Sequence, residues 1–101
     1  MLTMEFKTTK EDTKLTVAIA GRLDTLSAPD LEKGLEPELA GITDLVLDLK
    51  DLEYISSAGL RVLLGLAQVM EKQGNMKVTN PGDAVMDVFS VTGFDDILNI
   101  E

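Results

Sequence analysis

The chain has 101 residues, 45% of them apolar, which is enough for one packed domain with its own core. Its formal net charge is −9, from 18 acidic and 9 basic side chains, a balance that repels phosphate backbones and anionic lipid and argues against nucleic-acid or membrane-surface binding. It has no cysteine and no histidine, which excludes disulfides, zinc–thiolate sites and every catalytic triad built on a histidine base.

The opening, MLTMEFKTTKED, turns charged at once and has no apolar stretch of the kind a secretory signal needs. The longest near-candidate for a membrane span, VLLGLA, is far too short, so the expectation is a soluble cytoplasmic protein. A short edge strand is predicted over residues 4–8, with a turn at Glu11 and Asp12. Leu15, Val17 and Ile19 alternate with Thr16, Ala18 and Ala20, the period of a strand buried on one face, and Gly21 is expected to end it. In LSAPDLEKGLEPELAGI, Ser27 followed by Asp30 resembles a capping box, and Pro29 suits a first helical turn. Leu31, Leu35 and Leu39 recur at helical spacing until Pro37 and Gly41 weaken or end the helix.

DLVLDL is a second strand, with Leu45, Leu47 and Leu49 on one face and Val46 and Asp48 on the other. Polar residues on the second face of both strands predict a sheet covered mainly on one side. After EYISSAGLRV comes the main helix, Ala58 to Gln73, with Gly74 as its C′ residue. MKVTN is a third short strand, Asn80-Pro81-Gly82 a turn, DAVMDVFSV a helix ended by Gly93, and FDDILNI a last short strand. The order β-β-α-β-α-β-α-β predicts an α/β fold with a mixed, mostly parallel sheet of about 4–5 strands, right-handed crossovers, an antiparallel first strand and helices mainly on one face.

Ser56 and Ser57 stand directly before the main helix, whose N-terminus offers unpaired N–H groups and the positive end of the helix dipole. Whichever serine is the N-cap accepts one of those N–H bonds, and alanine in its place costs about 1 kcal/mol. A phosphate on Ser57 is expected to lie against the N–H groups of Ala58, Gly59 and Leu60, with Gly59 giving close backbone access. The dipole favours that phosphate by only about 0.3–1 kcal/mol, so the fold barely responds. A partner surface responds strongly, because a dianion facing an acidic or apolar patch costs several kcal/mol and each ~1.4 kcal/mol is tenfold in affinity. A switch at this place acts on binding. Along the helix, Leu60, Leu63, Leu64, Ala67 and Met70 form one stripe for the core. Val62, Leu66 and Val69 form a second stripe, either covered by a neighbouring helix or exposed as a partner-binding patch. Gly65 costs about 1 kcal/mol against alanine inside a helix and points to a close approach there.

Three segments, in order and at this spacing, resemble the STAS family, the domain of anti-sigma factor antagonists and of sulfate-transporter tails. AGRLDTLSAPDL is similar to the family's G-E-L/I-D segment, LVLDLKDLEYISSAGLRVLL to its strand, switch loop and second helix, and DVFSVTGFDDILNI to its closing L-F-x-x-x-G-hydrophobic segment. The antagonists' loop reads D-S-[S/T]-G-L, with a serine that a partner anti-sigma factor, an ATP-using serine kinase, phosphorylates. The resemblance implies that Ser57 is that phosphoacceptor, that Gly59 and Leu60 are the loop's glycine and leucine, and that Asp24 is the family's aspartate beside the site. It implies that unphosphorylated protein binds the anti-sigma factor and frees sigma, and that phosphorylated protein lets go. Two residues depart from the pattern: Ser56 stands where many members carry aspartate, and Arg22 where glutamate is usual, so the site is less acidic. The transmembrane segment that precedes transporter-type STAS domains has no counterpart here, which favours the free-standing antagonist type.

Rival readings are weaker. Ser57 with Asp24 as a hydrolase pair would need a lysine base, and neither serine has a lysine at motif spacing. Asp48 at LVLDL resembles the phosphoacceptor of a receiver domain, but that fold's acidic pair and late lysine are missing from the expected places. Asp83, Asp87, Asp95 and Asp96 lack the loop spacing and glycine of a calcium motif. A STAS adaptor whose Ser57 is never modified remains open. The expectation is therefore a single STAS domain over residues 1–101, without catalytic activity, cofactor or metal, monomeric when free. It binds a kinase-type anti-sigma factor through Asp24, Arg61, Val62 and Leu66, with Ser57 as phosphoacceptor among Asp24, Ser56, Ala58 and Gly59.

Overall fold

In the computed structural model, residues 4–101 are described, and the first three residues of the charged opening lie outside them. Strand β1 (Met4–Glu11) turns through Asp12, at φ 54°, into β2 (Lys14–Leu23), and the two pair antiparallel with Phe6 opposite Ile19. Aspartate is one of the few non-glycine residues that enter the left-handed conformation readily. Helix α1 (Ala28–Leu35), strand β3 (Asp44–Ile55), helix α2 (Ser57–Gln73), strand β4 (Asn75–Thr79) and helix α3 (Asp83–Thr92) follow. The sheet order is β1-β2-β3-β4, with the last two pairings parallel.

Both crossovers step one strand in the same direction, and a right-handed hand at each places α1 and α2 on the same face. The alternation in the strands matches this. Leu15, Val17 and Ile19 from β2 and Leu45, Leu47 and Leu49 from β3 meet Leu31 and Leu35 of α1 and Leu63 and Met70 of α2, none more than 1% exposed. Val85 and Phe89 of α3 join the same cluster. On the other face Ala18 and Lys50 are exposed and Thr16, Asp48 and Lys77 half-exposed. Val46 is buried even there, at the centre of the sheet between its register partners Thr16 and Lys77. The molecule measures 32 × 32 × 19 Å, the thickness of one sheet with one helical layer.

Two boundaries differ from expectation. Gly21 does not end β2; at φ 85° it sits at a register irregularity, and the strand continues to Leu23. A glycine with positive φ makes a bulge at little cost, so it bends the strand without stopping it. Pro37 acts as expected, because α1 stops at Leu35 and gives way to a short 3₁₀ turn, Glu36–Glu38. FDDILNI is not a strand. Gly93 ends α3 in the left-handed conformation at φ 80° and leads into a 3₁₀ turn, Phe94–Asp96. The chain then pairs with β4 through a parallel bridge between Val78 and Ile100. Leu98, 5% exposed, anchors this tail in the core, and with β4 only five residues long there is little edge for more pairing. The order is therefore β-β-α-β-α-β-α.

At the end of α2 the chain turns within one residue. Gly74 donates to the Met70 carbonyl at 2.7 Å, and Asn75 donates to the Thr43 carbonyl at 2.9 Å. A Cβ on Gly74 would overlap that Thr43 carbonyl. Gly74→Ala is therefore expected to lower the unfolding free energy by about 1–3 kcal/mol, measured by urea denaturation.

Candidate functional site

The parallel strands β2 and β3 end side by side, with Leu23 in register with Ile55, so the loops that follow them emerge together. The Ser56 N–H donates to the Leu23 carbonyl at 2.9 Å, tying the second loop to the end of the first strand. Ser56 is extended (φ −96°, ψ 176°), its Oγ accepts the Gly59 N–H at 3.2 Å and its carbonyl accepts the Leu60 N–H at 2.9 Å. Ser56 is thus the N-cap. Ser57 is the first residue of α2, exposed, and its hydroxyl makes no hydrogen bond among the described residues.

This changes the expected phosphate cradle. The Gly59 and Leu60 N–H groups are already held by Ser56, so the N–H groups of Ser57 and Ala58 are the ones left open among the described residues. Gly59 also has another role than backbone access. It is buried, and a Cβ there would come within 2.8 Å of Ile55 Cγ1 and 2.9 Å of both Leu23 Cγ and the Leu23 carbonyl. Its missing side chain lets the first turn of α2 sit directly on the strand ends.

Asp24 organises the neighbouring loop. Its Oδ1 accepts the N–H groups of Leu26 and Ser27, each at 3.0 Å. Ser27, 4% exposed, accepts the Asp24 N–H at 2.9 Å and donates its hydroxyl to the Arg22 carbonyl at 2.7 Å. The expected capping box of Ser27 and Asp30 is not formed, because Ser27 already has helical angles (φ −92°, ψ −23°) and its hydroxyl turns back to the loop. The Ser27 backbone N–H is the main cause holding the Asp24 carboxyl below its ordinary 3.8; desolvation opposes it, and the Ser27 hydroxyl, the Leu26 N–H and the Arg22 charge add to the lowering. The Arg22 guanidinium is itself fixed 4.2 Å over the ring of Tyr54, its register partner.

Of the expected partner contacts, Arg61 is exposed, but Val62 and Leu66 are 7% and 5% exposed and do not make an open patch. They lie low in the seam between α1 and α2, in a groove that Glu32, Glu36 and Leu39 also line, and Val69 of the same stripe is 39% exposed. The sequence reading missed Leu26, which is 82% exposed between Asp24 and Ser27. Its signal was its place outside the Leu31, Leu35 and Leu39 spacing. Asp48 lies inside β3, seven residues before its end, bonded to the Lys50 N–H at 3.1 Å and the Asn80 amide at 3.3 Å. A receiver's phosphoacceptor would stand at a strand end. Among the described residues no group of acidic side chains is arranged to hold a metal ion, and no helix is long and apolar enough to cross a membrane.

The chain resembles known proteins over most of its length. Residues 6–99 match the family described as "Mlab, STAS domain". The chain is 36% identical over 92 residues to the anti-sigma-B factor antagonist of Bacillus subtilis, covering 90% of this chain and 84% of that one. Its fold is similar to an anti-sigma factor antagonist from Mycobacterium paratuberculosis, with a TM-score of 0.86 at 26% identity, covering 96% of this chain and 84% of the other. It is also similar in fold to the Bacillus cell fate determinant SpoIIAA in its phosphorylated form, with a TM-score of 0.74 at 17% identity, covering 96% and 91% of the two chains.

Two outcomes follow from the site. Ser56→Ala removes the cap and is expected to cost about 1 kcal/mol of stability while leaving the exposed Ser57 hydroxyl untouched, checked by denaturation and by labelling of the serine. Because the folded pKa of Asp24 is depressed, its contribution to stability is complete above the ordinary 3.8 and disappears as pH falls through the lower folded value. Asp24→Asn is expected to remove that part of the acid dependence, seen as a flatter profile of thermal midpoint against pH at the acid end.

Proposed function

The chain belongs to the STAS domain family, and from that premise we propose that it is an anti-sigma factor antagonist switched at Ser57. The unphosphorylated protein binds a kinase-type anti-sigma factor, which releases its sigma factor. The kinase then transfers the terminal phosphoryl group of ATP to Ser57 Oγ, the hydroxyl proton leaves, and ADP departs. The phosphorylated chain dissociates. The antagonist supplies no catalytic group of its own, acts as a monomer in the cytoplasm, and takes no cofactor.

One observation carries this reading: the two adjacent serines have separate tasks. Ser56 Oγ is committed to the Gly59 N–H at 3.2 Å, while Ser57 is exposed with an uncommitted hydroxyl among the described residues. A modification at Ser57 thus alters the surface without removing a bond that holds α2. The likeness in fold to a protein that exists in a phosphorylated form fits the same reading. Beside Ser57 the partner would meet Asp24, the stacked Arg22 and Tyr54, Arg61, and the projecting Leu26.

The open N–H groups of Ser57 and Ala58 and the helix dipole favour a phosphate on the free protein by only about 0.3–1 kcal/mol. Desolvating that dianion against a closely fitting partner costs several kcal/mol. Release is therefore an interface effect, with no change of fold.

Titration calorimetry with the purified anti-sigma factor of the same organism tests the reading. Ser57→Asp is expected to bind at least about tenfold more weakly than the wild type, with its thermal midpoint unchanged, whereas Ser57→Ala keeps its affinity. Equal binding by wild type and Ser57→Asp would favour an adaptor that is never switched.

A further inference from the structure

Gly65 lies in the middle of α2, where glycine costs about 1 kcal/mol against alanine. Other glycines of the helices are explained by what they touch. A Cβ on Gly34 would overlap the Phe6 ring, on Gly59 it would meet Leu23 and Ile55, and on Gly74 it would overlap the Thr43 carbonyl. A Cβ on Gly65 would have no atom within 4 Å, and Gly65 is half-exposed, so nothing inside the described fold asks for a glycine there. The space it leaves belongs to a groove of about 430 Å³ between α1 and α2. Val62 and Leu66 give the groove an apolar floor, Val69 projects beside Gly65, and Glu32 of α1 and Glu36 of the following 3₁₀ turn form an acidic rim.

The groove continues from the switch. Ala58, Val62, Gly65 and Val69 recur at i, i+4, i+7 and i+11, one stripe of α2 that starts beside Ser57, and Gly65 lies about 12 Å along the axis from Ser57. A partner docked at Ser57 reaches it without turning. The rim selects the occupant's chemistry. A second copy would bring Glu32 and Glu36 against their own kind, and a chain of net charge −9 repels an anionic lipid surface. An apolar side chain flanked by lysine or arginine meets both the floor and the rim.

Resting on the function proposed above, we propose that this groove is a second docking point for the anti-sigma factor, taking a segment that carries a large apolar side chain next to a basic one. Gly65 lets the backbone of α2 and that segment come into contact. Because the groove lies away from Ser57, it adds affinity that phosphorylation does not touch directly, and the switch acts by opposing it.

Four chains separate this from the switch itself: wild type, Ser57→Asp, Gly65→Leu, and the double variant Glu32→Lys with Glu36→Lys, each titrated with the purified anti-sigma factor. Gly65→Leu fills open space with a better helix former, so its thermal midpoint is expected to stay level or rise while affinity falls at least about tenfold. The double variant is expected to weaken binding too, and it carries the test if Gly65→Leu does not fold. Wild-type affinity in both groove variants would overturn the groove, whatever Ser57→Asp does. Undiminished binding by Ser57→Asp alongside weak binding by the groove variants would sink the switch and keep the groove. No binding by the wild type would overturn both.

Discussion

The end of β2 carries the start of α2. Leu23 offers its carbonyl to the Ser56 N–H at 2.9 Å, and its side chain and carbonyl lie against the place where any residue larger than Gly59 would need room. This contact fixes the first turn of α2 against two parallel strands at once, and with it the direction in which Ser57 faces. Parallel pairing makes it possible, because both strands finish at the same edge of the sheet, where loops gather. From there the rest of the molecule follows. Residues of α2 that point down join the leucine core, those that point sideways pack on α1, and the exposed Ser57 stands free at its start.

Around that turn the polar groups divide into bound and unbound. Asp24 spends its carboxylate on Leu26 and Ser27, Ser27 spends its hydroxyl on Arg22, and Arg22 rests on Tyr54. These bonds hold one loop rigid and push Leu26 outward. With the switch proposed at Ser57, such a surface would change its charge there without rearranging, which suits a partner that binds a preformed face. Arg22 keeps this face from becoming uniformly acidic, and Glu32 and Glu36 are set farther along, on the rim of the groove.

Much of this was legible in the chain itself. The alternation in β2 and β3, the leucine spacing of α1 and the open second face of the sheet followed from periodicity, because burial on one face leaves a two-residue or four-residue rhythm. What failed depended on tertiary detail. FDDILNI has strand-like ends, but its fate was decided by Gly93 and by the shortness of β4. Val62 and Leu66 read as either covered or exposed, because the seam with α1 in which they lie cannot be seen from α2 alone. Gly59 read as backbone access for a ligand because sequence marks a close approach without saying to what; the neighbours proved to be Leu23 and Ile55. Gly65 raised the same question, and there the fold supplies no neighbour. Which of Ser56 and Ser57 is the N-cap could not be told until the backbone angles identified it.

The central claim is that adjacent serines have unequal roles, one structural and one switched. Site-resolved phosphopeptide mapping of the protein isolated from its native cells, in growth and under stress, tests it most directly. The account predicts phosphate on Ser57 in an amount that changes with condition, and none on Ser56. Phosphate on Ser56, or unmodified serines in every condition, would contradict it.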